Sequence, residues 1–153
     1  VAVLEHVADP PHVVDEIWRV LRPQGYVYAD TPFMQPVHMG AYDFSRYTYL
    51  GHRRLFRRFS DAASGMSLGP GVAAASSVKA LLLSLSDRRA WRLVAGLIGL
   101  VLTLPLKYLD YATRHTRSAI DGASGVFFFG QKQANAISDR EMIGLYRGGF
   151  KGG

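Results

Sequence analysis

"VAVLEHVADPPHVVDEIWRVLRPQGYVYADTP" (residues 1–32) changes its hydrophobic period twice. The opening Val-Ala-Val-Leu is too short to classify by period, but its content suits a buried parallel strand. Asp9-Pro10-Pro11 is a helix-start signal, because Asp caps free N–H groups and Pro is tolerated in the first turn. Val13, Val14, Ile17, Val20 and Leu21 then recur at helical spacing, with Asp15, Glu16 and Arg19 on the opposite face. Pro23 and Gly25 end that helix. "GYVYADTP" follows, β-branched and aromatic, and reads as a second strand. Strand, helix, strand at this spacing implies a right-handed parallel crossover, hence an α/β fold.

In a parallel α/β sheet, ligands sit beyond the carboxyl ends of the strands. Glu5-His6 leaves the first strand there, and Thr31-Pro32-Phe33 leaves the second. The aperiodic stretch from Phe33 to Thr48 starts at the same rim and is longer than most loops in compact domains. His6 is either a general base or substrate contact, or a loop cap. Glu5 is either a ligand contact or a cap for the following helix. His38, Asp43 and Arg46 can build a polar pocket in which Arg46 takes a carboxylate or phosphate; equally, Asp43 and Arg46 can pair and merely hold the loop. His12 and Glu16, four apart, have no third metal ligand nearby in sequence and read as a solvated face. No Walker-type phosphate loop or Gly-x-Gly-x-x-Gly turn is present.

Beyond the loop, Leu50 to Phe59 returns to helical spacing, with Arg53, Arg54, Arg57 and Arg58 expected on one basic face. "SGMSLGPGV" is turn-rich, with room for a short strand. Ala73 to Ala112 is mostly helical and contains a charge-free run of 14 residues, Leu93 to Leu106. At 1.5 Å per residue such a run covers about 21 Å, short of the roughly 30 Å of a hydrocarbon core. It reads as a buried or interfacial hairpin rather than a span. "ASGVFFFGQK" is a compact strand, and Ser138-Asp139-Arg140-Glu141 is a capping box opening a last short helix.

The 153 residues suffice for one domain with a real core. The absence of Cys excludes disulfides and thiolate metal sites and fits a reducing, cytoplasmic setting. A net charge of +6 implies a basic surface suited to membrane phosphates or an anionic substrate. Nucleic acid is not an expected partner, because no zinc knuckle or RNA-binding strand pattern appears.

"LEHVADPPHVVDEIWRVLRPQGYVYADTPF" resembles the second half of a class I S-adenosylmethionine-dependent methyltransferase of the type 11 group, which carries "LEH…P…E…RVLKPGG" after its fourth strand. "HMGAYDFSRYTYLGHRRLF" resembles the segment after that group's fifth strand, and "SGVFFFGQK" its final antiparallel strand. The resemblance implies a Rossmann-like sheet with two parallel strands and later edge strands, interrupted by an apolar helical insertion. The chain then divides into a core and substrate loop (1–72), the insertion (73–118), the final strand (119–132) and a C-terminal appendage (133–153). Gln24 stands where the group has the first Gly of "PGG", with Gly25 expected to carry the positive φ. The glycine-rich turn and the acidic residue that hold the cofactor in this group are not in the sequence. The expectation is therefore a fragment that begins at the fourth strand and is inactive alone.

By the same resemblance, Leu4, Glu5 and His6 lie beside the methionine portion of S-adenosylmethionine. His38, Asp43, Arg46 and Tyr47 shape the acceptor pocket, and His6 or His38 serves as base for a hydroxyl acceptor. The implied reaction is an in-line displacement that rests on positioning and water exclusion and calls for no metal. The acceptor class left open is a small molecule or a lipid- or glycan-linked one. The competing reading is a membrane-peripheral or scaffolding module that docks through residues 79–109 and retains a methyltransferase-like shell.

Overall fold

A computed structural model describes residues 3–150. The chain folds as a mixed α/β unit around a three-stranded sheet. Helix α1 (Pro10–Val20) starts where Asp9 accepts a hydrogen bond from the His12 N–H at 3.1 Å. Strand β1 (Tyr26–Pro32) follows, then α2 (Tyr49–Leu55), capped by the Thr48 hydroxyl, and β2 (Phe59–Leu68). Helices α3 (Pro70–Ser84) and α4 (Arg89–Thr113) form a long hairpin. A single turn, α5 (Ser118–Asp121), leads into β3 (Gly125–Lys132), and α6 (Asp139–Gly144) closes the described chain with the expected Ser138–Glu141 capping box.

The strand order is β1-β3-β2, and β3 runs antiparallel to both neighbours. β1 and β2 therefore point the same way on either side of it. The expected pair of adjacent parallel strands is not found among the described residues. Val1 and Ala2 lie outside them, and Leu4–His6 forms a 3-10 turn rather than a strand end. The "SGMSLGPGV" passage contributes to a full strand, with register shifts between Asp61 and Ala63 and between Met66 and Leu68.

One sheet face carries the core. Val27 and Ala29 of β1 pack with Leu4, Val14, Phe56, Phe59 and Phe128, and Phe56 stacks on Phe128 with centroids 4.9 Å apart. Tyr26 and Tyr28 point the other way, where they stack on Phe129 and Phe127 and remain half exposed. This is the period-2 alternation of a strand buried on one face.

Three sequence expectations change locally. Gln24, not Gly25, takes the left-handed conformation, at φ 62°. Gly25 is required for space instead, since a Cβ there would lie 2.9 Å from the Arg22 carbonyl oxygen, with Leu21 Cδ2 crowding it from the side. Arg53 leaves the basic face altogether. It is buried, donates to the Phe56 and Phe59 carbonyls at 2.6 and 2.9 Å, and lies over the Phe128 ring. The α4 helix runs 25 residues, well past the charge-free segment, and most of its apolar side chains are exposed rather than buried.

Candidate functional site

The 3-10 turn Leu4–His6 and the loop after β1 meet at one rim. The Phe44 and Ser45 N–H groups both donate to the Glu5 carbonyl, at 2.8 and 3.3 Å. The loop is anchored at its start by Phe33 and Met34, which donate to the Ser124 and Ala123 carbonyls. Arg46 locks its middle, donating to the carbonyls of Gln35, Pro36 and Ser45 and pairing bidentately with Asp43. The Arg46 guanidinium, with help from the His38 N–H, holds the Asp43 carboxyl well below the usual carboxylate range, against the opposing effect of burial. The Arg46–Asp43 pair thus shapes the loop.

That loop sets His38 against His6. The two rings meet edge to face with centroids 5.2 Å apart. His6 Nδ1 lies 2.8 Å from the Tyr42 carbonyl, which can only accept, so Nδ1 carries the proton of the neutral ring. Nε2 is then the basic nitrogen, and it faces Glu5 Oε1 at 3.6 Å. His38 Nδ1 lies 3.5 Å from Asp43 Oδ2. Glu5 is 1% exposed, and its Oε2 has no hydrogen-bond partner among the described residues. The donor atoms of Glu5, His6 and His38 lie within 4.8 Å of one another, the one such group of potential metal donors among the described residues. Chemically the rim offers a basic imidazole nitrogen, a second imidazole half open to solvent, and a buried carboxylate oxygen seeking a positive or protic partner.

Leu4 does not reach this rim; its side chain belongs to the core. Tyr47 lines a different cavity of about 540 Å³, with Asp15, Arg54, Arg57 and Arg58. The arginines there are engaged. Arg54 pairs with Asp139 at 3.0 Å, Arg57 approaches the same carboxylate, and Arg58 approaches Asp15 while lying over the Trp18 ring. His12 and Glu16 are joined by no third His, Asp or Glu donor among the described residues, and Glu16 pairs with Arg19.

A cavity of about 320 Å³ opens beside His38, between loop residues 35–38 and α3 residues Ser76, Lys79 and Leu83. The α3 wall was not expected from sequence. The single signal for it is Lys79, a lone cation inside an otherwise uncharged helix. Residues 1–29 match the family model described as "Methyltransferase domain". No curated protein and no solved structure matches the chain.

Proposed function

We propose that the His6–His38 rim is the acceptor side of an S-adenosylmethionine-dependent methyltransferase. The observation that carries this reading is the coincidence of the family-model match over residues 1–29 with the convergence of Glu5, His6 and His38 at one rim. The sulfonium donor supplies an already activated methyl group. The orphaned Oε2 of Glu5 suits a cationic neighbour, which the sulfonium and the ammonium of its methionine portion both provide. His6, through Nε2, or His38 removes the proton of an acceptor hydroxyl as it attacks. The Arg46–Asp43 clamp fixes the loop so that acceptor and base keep their separation, which is where most of the acceleration of a methyl displacement arises.

The test is S-adenosylhomocysteine formation with a panel of hydroxyl- and carboxyl-bearing acceptors, using protein expressed from its native reading frame with any upstream residues retained. His6→Asn or His38→Asn should lower kcat by about 100-fold or more, with donor affinity held in the His38 variant. Absence of methyl transfer from the unaltered protein, or two variants at full activity, refutes the assignment.

A further inference from the structure

We propose that the α3–α4 hairpin docks this chain on an anionic lipid bilayer, lying in the interface with its outer face among the acyl chains. Helix α4 is long and apolar enough to cross a membrane by length and composition, yet only 17% of its most apolar window is buried. A core helix of that composition is buried; this one is open. Leu93, Leu97, Leu100, Leu104, Tyr108 and Tyr111 recur every three or four residues along its outer side, and each is at least 44% exposed. Leu81 of α3 and Leu85, just past its end, are equally open, at 63% and 62%. The contact side is made of small residues instead. Ala95, Gly99 and Thr103, one turn apart, are the buried positions of α4, and Lys79 of α3 packs at Gly99. Helices that meet through small residues and turn their large apolar ones outward are built for a lipid environment.

The charges identify the surface. Arg88, Arg89 and Arg92 flank Trp91 at the hairpin tip, and Lys107 and Arg114 flank the tyrosines at the other end. All five cations are exposed and form no salt bridge among the described residues. Cations with long stems and interface-seeking aromatics at both ends of an apolar face match headgroup phosphates above acyl chains. The hairpin lies in the interface rather than crossing it. Three arginines at the tip and Lys79 midway along α3 are expensive to carry through the hydrocarbon. Because α3 also walls the cavity beside His38, docking holds that rim at the membrane surface.

The experiment is co-sedimentation of the chain with phosphatidylcholine vesicles, with and without about one-third phosphatidylglycerol, at low and high salt. It reads lipid binding alone and so stands apart from any methyl transfer. Binding should favour the anionic vesicles at least 10-fold and fall several-fold in high salt. Arg88→Glu/Arg89→Glu/Arg92→Glu should remove most of that preference, and Leu97→Asp/Val101→Asp should abolish binding while the circular dichroism stays that of the parent. Lack of sedimentation above the vesicle-free control overturns the proposal. So does equal binding to both vesicles, carbonate-resistant insertion, or a dimer that hides Leu97 and ignores lipid.

Discussion

At the scale of single residues, two side chains sit in conformations or environments that oppose their intrinsic preferences. Gln24 adopts φ 62° without being glycine. A Cβ in the left-handed region costs about 1–2 kcal/mol, so Gln24→Gly should raise the thermal midpoint, with a gain of about 1 kcal/mol after the added freedom of the unfolded chain is offset. Denaturant titration checks it; no gain means the turn relaxes around Gln24 without strain. His52 is 1% exposed, and burial pushes its imidazole down to about 4 from 6.5. The folded state then binds fewer protons than the unfolded state between those two values. Stability from this group is fully present above about 6.5 and is lost as pH falls toward 4, by about 3 kcal/mol in all. His52→Phe should flatten that part of the pH–stability curve. An unchanged acid slope in the variant points to another group.

At the scale of elements, one carboxylate ties the two helices of the hairpin together at its base. Asp110 of α4 accepts from the N–H groups of Gly69, Gly71 and Val72 at the start of α3, at 3.1, 2.6 and 3.3 Å. It supplies from another helix the cap that Gly69 cannot provide, and its negative charge suits the positive end of the helix dipole. Asp110→Ala should cost roughly 1–2 kcal/mol and increase amide exchange first in α3. Gly71→Ala should do more damage, because its Cβ would fall 2.0 Å from the Leu106 carbonyl oxygen and push the helices apart. Wild-type exchange rates in either variant would show that the hairpin is held by its apolar seam instead. The caps at Asp9 and Ser138 were legible from sequence because they act within four residues. The Asp110 cap was not, because its partners are about 40 residues away and only the folded hairpin brings them together.

At the scale of the molecule, the sheet places the rim, the loop and the hairpin on one framework, with β3 between strands that point the same way. No glycine-rich turn for a nucleoside is present in the 153 residues. Residues 1–153 on their own should therefore show no micromolar affinity for S-adenosylmethionine in calorimetry; heat of binding at that level would show that the rim alone suffices. By itself the sequence determined helix α1, strands β1 and β3 and the capped ends, because those features depend on local periodicity and turn chemistry. It nominated Glu5, His6 and His38 from an expected strand end that the structure replaces with a 3-10 turn. It could not determine that Arg53 turns inward to satisfy the carbonyls of Phe56 and Phe59, that Arg46 and Asp43 clamp the loop, or that β3 slots between β1 and β2. Nor could it show that the apolar hairpin faces outward, because composition fixes how much apolar surface a helix has and only packing decides which of it is covered.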